Sequence, residues 1–193
     1  MALIDLMHQR CSVRRYASRP IPPEDLKMCL EAARLAPSAC NSQPWHFILI
    51  DEPELKGRVA DRIFSGIYSM NKFAKEAPVL VAVVSEKIKF LAALGGIVRD
   101  TQYSLVDIGI ACEHFVLQAQ ERGIGSCWIG WFDEKALKGV LKVPKDKKID
   151  IVIALGYPVE EKTLPKVRKP LEEMSSFNVY SPKALPILKG GGA

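Results

Sequence analysis

Pro37-Ser38-Ala39-Cys40-Asn41-Ser42-Gln43-Pro44-Trp45-His46-Phe47 sets a polar run of small residues between an amphipathic helix pattern and an apolar strand pattern. Prolines bracket the run, and its hydroxyls and amides come without formal charge. Asn41 and Gln43 each carry a donor and an acceptor on one side chain, which suits the edge of a flat heterocycle with alternating N–H and C=O groups. A turn built around a structural Asn has the same composition, so both readings stand at this point. Before the run, Leu26, Cys29, Leu30 and Ala33 recur at i, i+3, i+4 and i+7, which predicts a helix over 24–36. Pro22 and Pro23 precede that helix and Pro37 stops it. After the run, His46 to Ile50 reads as a short strand.

Further along, Asp51 is the expected N-cap of a helix that has Pro53 in its first turn. Pro78 opens an unbroken apolar strand over 79–84, a pattern that demands burial on both faces. Residues 102–122 form a helix with little polar face and are expected to be buried nearly all round. Gly123-Ile124-Gly125 ends it. Ser126 to Phe132 reads as a strand, Asp133 caps a helix to about Leu141, and Ile149 to Leu155 is a second buried strand. The tail from Gly156 is rich in proline, has little apolar periodicity and ends in Gly-Gly-Gly, so 189–193 is expected to be disordered. No linker or repeat divides the chain, and 1–193 is expected to be a single domain.

The composition, with 48% hydrophobic and 25% charged residues in 193, is that of a soluble globular protein. No apolar run reaches the roughly 20 residues of a membrane span. Met1-Ala2-Leu3-Ile4-Asp5 shows no basic lead into an apolar stretch, so no membrane partner and a cytoplasmic location are expected. The five cysteines, at 11, 29, 40, 112 and 127, form no C-x-x-C pair and read as free thiols. Cys29 and Cys112 sit in apolar helical patterns and are expected in the core. Neither Cys11 nor Cys40 has a base beside it in sequence, so no catalytic nucleophile is assigned. The histidines at 8, 46 and 114 share no ligand spacing, so no metal is expected, and His46 reads as a hydrogen-bonded structural residue. The net charge of +5 is scattered, without a basic stripe interleaved with aromatics, which argues against nucleic acid and for a small anionic ligand.

The most concentrated basic cluster is Arg10-Cys11-Ser12-Val13-Arg14-Arg15-Tyr16. In an extended segment, Arg10, Ser12 and Arg14 share one face, a forked cationic surface suited to a phosphate. A solvated basic turn is the plain alternative.

The ordered set of motifs resembles the FMN-dependent nitroreductase superfamily. R-x-S-x-R at 10–14 is followed by P-S-x-x-N-S-Q-P-W-H-F at 37–47. Asp107-Ile108-Gly109-Ile110-Ala111 and Gly123-Ile124-Gly125-Ser126-Cys127-Trp128-Ile129-Gly130-Trp131-Phe132 resemble the family's central helix and its flavin-facing strand. Ile153 to Pro158 and Lys166-Val167-Arg168-Lys169-Pro170 resemble the last core strand and a basic phosphate clamp. The likeness spans about residues 3–177.

The resemblance implies an α+β fold, a three-layer α-β-α sandwich with a mostly antiparallel sheet and a C-terminal arm (157–185) exchanged in a homodimer. Phe177, Val179 and Tyr180 would add an edge strand to the partner. It implies FMN, with Arg10, Ser12, Lys166 and Arg168 on the phosphate and Cys11 in the same loop. Lys166 and Arg168 would face it from one extended strand. Arg14 would stabilise charge on the reduced ring. Pro37, Ser38 and Ala39 would serve the ring bound mainly by the other subunit, and Asn41 would hold this loop or bond FMN directly. Ile129 and Gly130 would approach the ring, with the Gly130 N–H directed at N5. Family members often carry an acidic residue where Gly130 stands, and Trp128 and Trp131 are expected to crowd that side.

The implied activity is ping-pong reduction of a small electron-poor acceptor, such as a nitroaromatic, quinone or unsaturated carbonyl, with NADH or NADPH as donor. Ile88, Phe90, Leu91, Leu94, Ile97, Val98 and Tyr103, around Gly95-Gly96, would form a lid that sets acceptor choice. The alternatives are a flavin-fragmenting or dehalogenating relative and a flavin-binding protein without turnover.

Overall fold

A computed structural model describes residues 2–86, 100–160 and 166–180. Two compact units are present, Met1–Thr163 and Leu164–Ala193. The lid residues 88–98 lie outside the described residues; Tyr103 is described and begins a helix.

The first unit is built on a four-stranded sheet in the order β1-β2-β4-β3. The strands are β1 (Trp45–Ile50), β2 (Val79–Ser85), β3 (Gly125–Ile129) and β4 (Lys148–Gly156), and each neighbouring pair is antiparallel. The unbroken apolar run of β2 makes it a central strand, with every residue from Val79 to Val84 buried. Its side chains alternate between two cores. Val79, Val81 and Val83 pack with α2 (Pro23–Arg34) and α4 (Tyr103–Glu121). Leu80, Ala82 and Val84 pack under α3 (Pro53–Ile63), the 3-10 stretch Gly66–Glu76 and α5 (Glu134–Leu141). The result is the expected three-layer α-β-α sandwich around an antiparallel sheet. A short α1 (Leu3–Gln9) leads into the unit and contributes Leu6 to its interior.

Local signals explain most boundaries. Pro23 opens α2, and Gly123, at φ 71°, follows the end of α4. Asp133 caps α5 by accepting from the Ala136 N–H at 2.8 Å. The cap of α3 is Glu52 rather than Asp51. Its carboxylate accepts from the N–H groups of Glu54 and Leu55, which the longer side chain reaches from the position adjoining Pro53.

Two further expectations are corrected. Within the chain, α4 is buried on one face only. Ile108, Ala111, Cys112, Phe115, Val116 and Ala119 pack inward, while Leu105 and Val106 are 42% and 52% exposed. Strand β3 stops at Ile129 rather than Phe132, because Trp131 is drawn off the ladder. The Trp131 carbonyl accepts from Asn71 Nδ2, and its indole N–H donates to the Ile67 carbonyl at 3.1 Å.

In the second unit, the described residues 166–180 hold one short helix, α6 (Leu171–Met174), and no strand. Residues 166–170 and 177–180 lie outside helix and strand.

Candidate active site

Residues 10–16 run alongside β3, and two glycines make the approach possible. Gly125 and Gly156 are register partners across β3 and β4. A Cβ on Gly125 would lie 2.5 Å from Val13 Cγ2, and one on Gly156 would lie 2.8 Å from the Tyr16 ring. Ser12 bridges Ser126 in parallel fashion, and the Val13 N–H donates to the Ser126 carbonyl at 3.0 Å. Tyr16 anchors the far end: its hydroxyl donates to the Val13 carbonyl at 2.6 Å. Burial pushes the Tyr16 phenol far above its ordinary range, so the hydroxyl stays a donor.

The segment therefore alternates as an extended strand should. Ser12 and Arg14 are exposed, Cys11 and Val13 are half-buried, and Arg10 is half-buried at the end of α1. These polar groups gather over one thiol. Burial raises Cys127, while Arg14, a hydrogen bond with Ser12, and Arg10 act in the opposite direction. Arg10, Ser12 and Arg14 thus form one cationic edge beside β3. The Arg14 guanidinium also sits 5.8 Å from the centroid of the Phe73 ring.

Ile129 ends β3 and is 2% exposed, with its side chain in the core. Gly130 is exposed, and a Cβ there would meet nothing within 4 Å. Packing does not require glycine at this position. The two tryptophans do not crowd together. Trp128 is half-buried against the α2–α4 core, and only Trp131 stands at the surface, 51% exposed and 5.2 Å from the Tyr68 ring. His46 is exposed on β1.

The 37–44 loop is a strained turn. Cys40, Asn41 and Gln43 have φ of 51°, 52° and 48°. The left-handed region costs a non-glycine residue roughly 1–2 kcal/mol, with Asn the best tolerated. Internal bonds offset part of this. The Gln43 N–H donates to Ser38 Oγ at 2.9 Å, and Gln43 Nε2 donates to Asn41 Oδ1 at 2.8 Å. The Asn41 side chain thereby accepts a bond within the loop. The decisive tether is one the sequence reading missed: the Ala39 N–H donates to both carboxylate oxygens of Asp107 on α4, at 3.1 and 3.2 Å. The signal was present, because Asp107 is an acid inside an otherwise apolar helical pattern.

Pro37, Ser38, Ala39 and Asn41 lead into β1 at one edge of the sheet, whereas Arg10, Ser12, Arg14 and Gly130 lie at the β3 edge. Three strand spacings, about 14 Å, separate the edges. One chain does not bring the two halves together. Lys166 and Arg168 belong to the second unit, where Arg168 Nη1 donates to the Val167 carbonyl at 2.8 Å.

Comparison with known proteins gives the family. The model of the Nitroreductase family covers residues 7–157. A protein of Archaeoglobus fulgidus bearing the names NADH dehydrogenase and NAD(P)H nitroreductase is 32% identical over 163 residues, which cover 82% of this chain and 87% of that protein. An iodotyrosine deiodinase of Thermotoga neapolitana is 29% identical over 192 residues, with 89% and 95% covered. Among solved structures, an FMN-dependent nitroreductase from Clostridium difficile R20291 superposes with a TM-score of 0.74 at 27% identity, covering 92% of this chain and 99% of that one. With the family model spanning the sheet, the Arg10–Arg14 edge and the Asp107-tethered loop, the chain belongs to the Nitroreductase family and is an oxidoreductase.

Proposed function

We propose that the protein is an FMN-dependent NAD(P)H oxidoreductase that reduces small electron-poor acceptors such as nitroaromatics or quinones by alternating turnover. The observation that carries this reading is the cationic edge along β3, with Ser12 and Arg14 exposed and Arg10 half-buried, at the same strand that ends beside the exposed Gly130. FMN, when bound, supplies hydride acceptance from NADH or NADPH and delivery of electrons to the second substrate.

The residues present fit that group. A phosphate monoester carries about two negative charges near neutral pH. Arg10 and Ser12 offer a guanidinium and a hydroxyl to it, and Lys166 and Arg168 are proposed as further phosphate partners. Arg14 would favour negative charge that develops on the ring. Gly130 and the buried-side-chain Ile129 would contribute main-chain groups, so the contact does not depend on side-chain identity. Pro37, Ser38 and Ala39 form a small-residue shelf that a ring can approach closely, and Asn41 keeps it in shape. Cys11, half-buried in the same segment, is proposed as a further contact of the bound FMN.

The separation of shelf and edge within one chain supports a homodimer in which each subunit completes the other's site. The 157–185 segment is proposed as the arm of that dimer, within one functional domain. The exposed Trp131, with half-buried Tyr68 beside it and half-buried Phe73 beside Arg14, suits a flat acceptor. No helix among the described residues is long and apolar enough to cross a membrane, and a cytoplasmic location is proposed.

The test is anaerobic titration of the FMN-loaded protein with NADH and with NADPH, followed by an acceptor panel. Bleaching of the flavin absorbance by one nucleotide, and its return on adding a nitroaromatic or quinone, is expected. Flavin that neither nucleotide bleaches would overturn the reading in favour of a binding protein. A second reading, reductive dehalogenation, is favoured by the likeness to the Thermotoga deiodinase. It requires halide release from a halogenated tyrosine in the same assay.

A further inference from the structure

We propose that Asp107 is a positioning residue of the flavin site: its buried carboxylate holds the 38–43 loop in the left-handed form that presents the Ser38–Ala39 shelf. The proposal rests on the functional reading above and adds a group outside its ligand set.

Asp107 is 4% exposed, on a helix face whose neighbours Ile108, Ala111 and Cys112 are buried and apolar. A carboxylate is an expensive occupant of such a face unless a donor compensates it. The donor is the Ala39 N–H, within hydrogen-bond distance of both oxygens, a charge-assisted contact and stronger than a neutral one. The loop's own bonds run from Gln43 to Ser38 and Asn41, from Asn41 to Ser38, and from Ser42 to Ala39. They shape the turn from within. The Asp107 contact ties that shape to the helical layer. It acts at the residue immediately before the three left-handed positions Cys40, Asn41 and Gln43. Backbone held in sparsely populated regions persists only where surrounding contacts over-determine it, and such preset strain is a property of ligand-binding loops. If packing alone mattered, an apolar residue would serve at position 107.

The experiment uses the full-length protein and reads the loop with and without flavin. Amide hydrogen exchange in the flavin-free protein should accelerate at least tenfold at Ala39, Asn41 and Ser42 in Asp107→Ala, with β2 and the C-terminal half of α4 unchanged. FMN affinity should fall at least tenfold. Asp107→Asn keeps an acceptor oxygen and should stay within threefold of wild type on both measures. Adding Cys40→Gly to Asp107→Ala should recover at least threefold in FMN affinity, because glycine takes the left-handed conformation without strain.

A merely structural role predicts loss of protection across α4 and β2 alike and no rescue by Cys40→Gly; that pattern overturns the proposal. So does an Asp107→Ala protein with wild-type loop exchange. If Asp107→Ala does not fold, Asp107→Asn and Asp107→Glu decide. The longer acid displaces the loop and should cost tenfold where Asn does not, and equal behaviour overturns the proposal. Wild-type protein without FMN affinity would overturn the functional reading instead, while loop exchange still decides the tether.

Discussion

Cys29 and Cys112 are fully buried, and burial pushes both thiols up to about 12. An unfolded-chain thiol ionises near 8.5. The folded values are raised, so the unfolded chain gives up its protons first as pH rises. The contribution of these groups to stability is therefore fully present below about pH 8.5 and is lost toward about 12. Between pH 8 and 10 the urea midpoint of the wild type should decline, and Cys112→Ala should flatten part of that slope. The Tyr16 phenol is also raised by burial and adds its share only from about pH 10 upward, where a free phenol ionises. Parallel midpoint-versus-pH curves for wild type and Cys112→Ala over pH 8–10 would refute the assignment. Both cysteines were legible from sequence as core residues, because each sits in an apolar helical period. Asp107 was not, because periodicity locates a side chain on a face without naming its partner 68 positions away.

At the scale of elements, the β3–β4 ladder depends on the glycine pair that admits residues 10–16. A Cβ on Gly156 would lie 2.5 Å from Pro78 Cδ and 2.8 Å from Tyr16 Cδ1. Both neighbours are rings, one of them part of the backbone, and neither can swing aside as a long chain would. Gly156→Ala should therefore destabilise the protein by about 1–3 kcal/mol through overpacking. Gly130→Ala, with open space around its Cβ, should change stability by less than about 0.5 kcal/mol. Urea denaturation of the two variants checks the contrast, and equal losses would mean that the approach of residues 10–16 is not what Gly156 serves. Helix and strand identity was readable from apolar period and from proline or glycine punctuation. The ends were less so: the shift of the α3 cap from Asp51 to Glu52 and the early end of β3 depend on side-chain reach and on Trp131 finding Ile67 and Asn71.

At the scale of the molecule, six of the exposed apolar residues lie on α1, after α2 and on α4. Leu3, Ile4 and Met7 of α1, Leu35 after α2, and Leu105 and Val106 of α4 are all more than 40% exposed. A groove between these helices is lined by Leu3, Leu6, Met7, Leu35, Ile110 and Leu117. Contiguous apolar surface of this kind marks an interaction site. The proposed homodimer would cover it and would join the shelf of one subunit to the cationic edge of the other. Analytical ultracentrifugation should give a dimer, and removal of residues 157–193 should leave a flavin-free, aggregating chain. A stable monomer that retains FMN would sink the idea.

The ordered motifs carried the resemblance to the family, and that resemblance implied the sandwich class; hydrophobic period and turn chemistry determined the individual helices and strands, because both are local and survive in a linear reading. They also placed Arg10, Ser12 and Arg14 on one face, since alternation in an extended segment needs no tertiary information. Only the tertiary structure decided that the shelf and the cationic edge stand at opposite edges of one sheet. That separation follows from strand order, which no local pattern encodes. Only the tertiary structure, too, decided that the 38–43 loop is strained and tied to Asp107, because a left-handed turn of non-glycine residues exists where distant contacts impose it.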